Sequence, residues 1–162
     1  MRMFDITLLA VGKLKEKFYL DAVSEYAKRL KVYCHLQIIE LPEFRLPDAP
    51  SSSEIIAGLN KEAEMIITKI PKNTWFCVLT PEGKQLSSEA LADKMAEIKL
   101  SGKSSACFLI GSSFGIAQRI KDLADFKLSM SSMVFPHHLA RVMVLEQIYR
   151  SESIQAGSKY HK

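Results

Sequence analysis

The sequence predicts an α/β fold, a mostly parallel sheet with helices on both faces. Three observations point to it. Short apolar runs of strand length recur along the 162 residues. Amphipathic stretches of helix length separate them, so consecutive strands need crossover connections rather than hairpins. Runs such as ITLLAV and ACFLI are also nearly continuous in apolar residues rather than alternating, as befits strands covered on both faces. A chain of this length fits one domain, 1–162, and no internal repeat, low-complexity tract or linker divides it.

The elements follow in order. Ile6–Val11 (ITLLAV) reads as a buried strand closed by Gly12. Phe18, Ala22, Tyr26 and Leu30 recur every four residues, which marks one face of a helix. Leu36–Leu41 (LQIIEL) reads as a second strand. Pro42, Pro47 and Pro50 place a loop before Ser51, and Ser51 with Glu54 has capping-box spacing. The helix it starts buries Ile55, Leu59, Ala63, Ile66 and Ile70 and stops at Pro71. Thr74–Leu79 (TWFCVL) is a third strand. Ser87 caps a helix with Leu91, Met95 and Ile98 on one side and Gly102 at its end. Ala106–Ile110 (ACFLI) is a fourth strand, and a short helix after it carries Ile116, Ile120 and Leu123. Lys127–Met130 is a short fifth strand. The last helix begins near Pro136, carries Leu139, Val142, Met143 and Ile148, and ends at Gly157.

Composition narrows the class. A hydrophobic content of 48% supplies a core, and 25% charged residues argue against disorder. The formal charge of +4 permits a polyanionic partner without demanding one. Cys34, Cys77 and Cys107 are odd in number and lack CxxC spacing, so a disulfide scaffold or zinc site is not expected. The N-terminus lacks the apolar core and cleavage site of a signal peptide, and no stretch reaches membrane-span length. The expectation is a cytoplasmic protein without membrane or metal.

Ligands of open parallel sheets bind beyond the carboxyl ends of the strands. Three loops qualify: Thr80–Leu86, Gly111–Gly115 and Ser131–His138. The sequence GSSFG at 111–115 is neither GxGxxG nor a P-loop; read alone it is a weak signal, better accounted for by plain turn chemistry. His137, His138, Arg141, Arg150, Tyr160 and His161 crowd the final stretch. A histidine here can be structural and the terminal YHK a frayed end. Nine residues separate Arg141 from Arg150, which turns them about 180° apart on a helix.

The segments FLIGSSFGI, LSMSSMVFPHHLARVMVLEQIYR and terminal YHK resemble the RlmH family. So do LLAVGKLKEKFY, EYAKRL and LTPEGKQLSSEALA, in the same order, so the likeness spans nearly the whole chain. It implies a single SPOUT methyltransferase domain whose C-terminal part forms a trefoil knot. It implies S-adenosyl-L-methionine as cofactor, bent in that knot against Leu79, Gly111, Met130, Ser131, Ser132, Met133, Val134 and Phe135. The implied reaction is methyl transfer to N3 of pseudouridine 1915 of 23S ribosomal RNA in the assembled ribosome. His137, Arg150, Tyr160 and His161 match family positions near the substrate, and the family pairs as a homodimer through the last helix. Two positions depart from the pattern. Ser112 stands where a second glycine is common, and would be strained if its φ were positive. Glu152, two residues after Arg150, places negative charge where an RNA surface is expected. Both departures would suit a non-catalytic RNA- or ribosome-binding domain of the same fold.

Overall fold

The computed structural model describes residues 2–162. Ten elements alternate along the chain: β1 (Phe4–Val11), α1 (Lys17–Leu30), β2 (Cys34–Leu41), α2 (Ser52–Lys69) and β3 (Thr74–Gln85), then α3 (Ser88–Leu100), β4 (Ser105–Ile110), α4 (Gln118–Leu123), β5 (Phe126–Ser129) and α5 (His137–Gln155). The strands form one sheet in the order β2-β1-β4-β3-β5, and every pairing is parallel. The expected α/β class is therefore correct. β4 lies at the centre, with all six residues buried.

Strand alternation sorts the core into two layers. Ile6, Leu8, Trp75, Cys77, Ala106 and Phe108 face one side, where Leu30 of α1, Met95 of α3 and Leu145 of α5 close over them. Leu9, Val11, Phe76, Val78, Cys107 and Leu109 face the other, under Ala63 and Ile66 of α2 and Ile120 of α4. Each Val, Leu, Ile, Phe or Met among them contributes about 1.5–3 kcal/mol by leaving water, and the Ala and Cys side chains less. The three cysteines are free and buried within these layers.

Local signals set the boundaries. Ser51 and Glu54 form the reciprocal capping box of α2, and the Ser87 hydroxyl accepts from the Ala90 N–H to start α3. At the end of α5, Gly157 adopts φ +68°. Its N–H reaches the Ile154 carbonyl at 3.0 Å and the Ser158 N–H reaches Ser153 at 2.9 Å, a Schellman stop.

Four expectations shift. Phe18 is 66% exposed, because α1 buries Leu30 and packs Val23 and Tyr26 onto the sheet instead. Ile116 is buried but precedes α4. β3 runs on to Gln85, yet its register against β5 slips: Leu79 and Lys84 both face Leu128, leaving Thr80–Gly83 out of the ladder. α5 buries Arg141, Val144, Leu145, Ile148 and Ser151. Leu139, Val142 and Met143 are only half-buried. The helix is apolar on more than one side, and its seat between α1 and α3 decides which side goes in.

Candidate active site

The slip in β3, the turn after β4 and the segment after β5 all lie at the carboxyl end of the sheet. Together they enclose a cleft of about 800 Å³. Leu79, Gly111 and Met130 through Phe135 all line it, together with Ile110, Ile116, Leu128 and His137. The size suits a nucleotide-sized ligand.

Close backbone packing shapes the walls. Ser112 and Gly115 form a turn, with the Gly115 N–H on the Ser112 carbonyl at 2.9 Å. A Cβ on Gly111 would overlap the Gly115 carbonyl and the Ile116 side chain. Gly83 meets β5 as tightly: a Cβ there would lie 2.7 Å from the Lys127 carbonyl oxygen. The positive φ of the turn falls on Gly115, at +98°, and not on Ser112. Ser112 is therefore unstrained, and its hydroxyl donates to buried Glu62 at 3.2 Å.

Charge in the cleft is cancelled. Lys121 is the one formally charged side chain of the lining, and Glu82 accepts from it at 2.5 Å. Lys121 first, and the Thr80 hydroxyl second, hold the Glu82 carboxyl down to about 2. His137 opens α5 beside His138, their rings 4.2 Å apart. Burial, then the neighbouring His138, lowers its pKa below 6.5, so the ring is neutral at neutral pH.

Arg150, Tyr160 and His161 come together elsewhere. Thirteen residues along α5 from His137 is about 20 Å, and none of the three lines the cleft. Arg150 pairs with Glu146 at 2.9 Å and lies 4.8 Å from the Tyr160 ring centroid. The Tyr160 hydroxyl donates to Glu146 at 2.9 Å. Burial, then that carboxylate, pushes the phenol up to about 12. Arg150 donates to Nδ1 of His161 at 3.1 Å, so the ring proton sits on Nε2 and is given to Glu89 at 2.7 Å. The tail is thus packed against α5 rather than frayed.

Glu146, Glu89 and Glu62 are not among the site residues expected from the sequence. The i,i+4 spacing of Glu146 and Arg150 was a readable signal, as was Glu62 beside the apolar stripe of α2. Glu89 became visible only once the tail was placed. Glu152 lies against α3, its carboxylate held by Lys99 at 2.8 Å and only 4% of the residue exposed. It adds no charge to the surface around Arg150, contrary to expectation. Among the described residues, no three His, Cys, Asp or Glu side chains group as metal ligands would. No helix among them is long and apolar enough to cross a membrane.

A family model described as "Predicted SPOUT methyltransferase" matches residues 4–161. The chain belongs to the SPOUT methyltransferase family. Two similar relatives are named ribosomal RNA large subunit methyltransferase H. That of Acetivibrio thermocellus is 45% identical over 157 residues, 97% of this chain and 99% of its own. That of Clostridium kluyveri is 46% identical over 158 residues, 98% and 99% of the two chains. A solved structure, "a probable methylase family protein from Haemophilus influenzae Rd KW20", shares the fold with TM-score 0.51 at 11% identity. It covers 98% of this chain and 70% of its own.

Proposed function

We propose that this chain is an S-adenosyl-L-methionine-dependent methyltransferase acting on N3 of pseudouridine 1915 in 23S ribosomal RNA of the large ribosomal subunit. The observation that carries the reading is the near-full-length likeness to relatives bearing the ribosomal RNA methyltransferase name.

The cleft fits the cofactor. Its walls of Leu79, Ile110, Ile116 and Leu128 suit an adenine ring, and the backbone of Met130–Phe135 suits the ring's polar edge. Glu82 cancels Lys121, so no net positive charge repels a sulfonium. The chain from β4 to α5 that forms these walls is the part we read as the trefoil knot. When bound, S-adenosyl-L-methionine supplies an electrophilic methyl group, which leaves the protein two tasks: aligning the base and removing its N3 proton. Neutral His137 at the mouth of the cleft is the group suited to take that proton. Tyr160 is not, since a phenol held near 12 stays protonated at neutral pH.

Arg150, Tyr160 and His161 can serve the same reaction only from a second copy, because their own cleft lies too far away. A homodimer through Leu139, Val142 and Met143 would cover the half-buried side of α5 and bring one tail toward the partner's cleft. There Arg150 would hold a phosphate or uracil carbonyl and Tyr160 would stack on the base. A ribosomal substrate supports a cytoplasmic location.

Mass spectrometry of ribosomal RNA from cells with and without the gene tests the reading. One methyl on a pseudouridine should disappear with the gene; an unchanged RNA would overturn it. Calorimetry with S-adenosyl-L-methionine in chelator tests the cofactor separately, and an absence of heat at millimolar ligand would exclude it.

A further inference from the structure

A second groove, of about 920 Å³, opens between the β1–α1 turn and the segment after β2. It shares Ser113, Phe114 and His137 with the first cleft, so the two meet at the candidate base. Lys13, Lys15 and Arg45 are exposed on its walls. Among the described residues, none of these three forms an ion pair. One of the four acids in the lining is neutralised, Glu40 by Arg141 at 2.6 Å; Glu16 lies 3.6 Å from His138, which pairs with it only when protonated. Lys13, Lys15 and Arg45 thus remain free to meet phosphates, in a groove that also carries Glu16, Glu43 and Asp48. Two aromatic rings stand open to water in the same groove, Phe44 at 42% and Phe114 at 45% exposure.

Buried charges hold the walls in place. The Glu62 carboxylate, from a residue 4% exposed, accepts from the Phe44 N–H at 2.9 Å and from the Ser112 hydroxyl at 3.2 Å. One carboxylate thereby ties the segment bearing Phe44 to the turn bearing Phe114. The Phe44 ring also rests against α2, where a Cβ on Gly58 would lie 3.2 Å from it. On the opposite wall Arg141, 1% exposed, donates to the Gly12 carbonyl at 2.7 Å and joins the β1–α1 turn to α5 one turn beyond His137. Rings fixed in place, free cations beside them and an opening into the methyl-donor cleft are the features of a single-strand RNA channel.

We propose that this groove is the subsite for the nucleotides flanking the target base. Phe44 and Phe114 stack on unpaired bases, and Lys13, Lys15 and Arg45 hold the adjoining phosphates. The assignment rests on the reading of the chain as an RNA methyltransferase.

The test uses the full-length protein, S-adenosyl-L-methionine and ribosomes lacking the methyl group. The triple variant Lys13→Ala, Lys15→Ala, Arg45→Ala should raise KM for ribosomes about tenfold or more. It should also flatten the salt dependence of binding, by about 0.7 in log–log slope for each lost contact to single-stranded phosphate. Phe44→Leu keeps an apolar side chain and loses the ring, and should raise KM about tenfold with the salt slope intact. Cofactor affinity, measured by calorimetry, should stay at the wild-type value in both and so report an intact fold. If wild type transfers methyl and both variants match it in KM and slope, the groove assignment is overturned alone. A raised KM with an unchanged slope in the triple variant points to a protein partner and overturns the phosphate contacts. If wild type transfers no methyl to ribosomal RNA, the functional reading falls and takes the groove with it.

Discussion

Arg141, in the second turn of α5, donates to the carbonyl oxygen of Gly12 at 2.7 Å, 129 residues earlier in the chain. The same guanidinium reaches the Val11 carbonyl at 3.3 Å and Glu40 at 2.6 Å. One buried cation thus secures the end of β1, the end of β2 and the start of α5.

Replacing Arg141 by Met should therefore destabilise the fold. Removing one member of a buried ion pair costs about 3–5 kcal/mol; Glu40 keeps some solvent, which lowers the expectation to about 2–4 kcal/mol. Urea denaturation checks it, and an unchanged midpoint would show that the contacts are dispensable.

His137 gives a pH signature. Its pKa lies below 6.5 in the folded chain, chiefly through burial. As pH falls through 6.5 the unfolded chain takes up this proton first, so stability declines toward the folded pKa and is indifferent to His137 above 6.5. Methyl transfer should likewise keep its rate through neutrality and show its acid limb below 6.5. His137→Asn should lower the rate about 10²–10⁴-fold and remove that limb. A rate–pH profile that keeps its acid limb in the variant would exclude His137 as the base.

The tail separates binding from transfer. A chain cut after Gly157 loses Tyr160 and His161 but no residue of the cleft. It should bind S-adenosyl-L-methionine almost normally and lose methyl transfer by more than the roughly 10²–10⁴-fold usual for one acid–base group, since positioning goes too. Single-turnover transfer to unmethylated ribosomes reads this out; a full-length rate would return the tail to a structural role.

Ser112 should prove neutral for the cofactor and useful to the fold. Ser112→Ala leaves Glu62 one partner short and should cost about 1 kcal/mol. Ser112→Gly should not tighten cofactor binding beyond about twofold, a few tenths of a kcal/mol. A tenfold gain in affinity from the glycine variant would mean that the turn is strained after all.

Val142→Glu probes the dimer. The half-buried Val142 lies off the buried stripe of α5, so the fold should tolerate the carboxylate while the pairing of copies fails. Light scattering should report a monomer mass at micromolar concentration, with transfer lost and cofactor binding kept. A monomer mass for wild type would remove the composite site.

How much of this was legible in the sequence depends on the range of the interaction. The strands, the caps at Ser51 and Ser87 and the stop at Gly157 rest on near neighbours, and all were readable. The buried face of α5 was not, because Leu139, Val142 and Met143 are as apolar as Val144 and Leu145 and only the seat between α1 and α3 chooses among them. The cleft residues were placed by resemblance, and the slip at Leu79/Lys84 explains physically why Leu79 lies at its edge. The contacts of Glu89 and Arg141 reach residues 72 and 129 positions away and leave no periodic trace. Ser112 and Glu152 looked like liabilities because each was compared with a family pattern without its partner, Glu62 in one case and Lys99 in the other.

The position of β4 bears on how the chain is made. β4 pairs with β1 on one side and β3 on the other, so until Ser105–Ile110 is synthesised β3 has no neighbour and the sheet is in two pieces. One edge of β1 stays open through translation of α2, β3 and α3, and both edges of β3 stay open through translation of α3. Pairing between strands so distant in sequence forms slowly, and such open edges are where nascent chains aggregate. A chain that stops before Ser105 should therefore precipitate rather than yield a smaller working domain, so synthesis past the centre of the sheet is a condition for solubility as well as for activity.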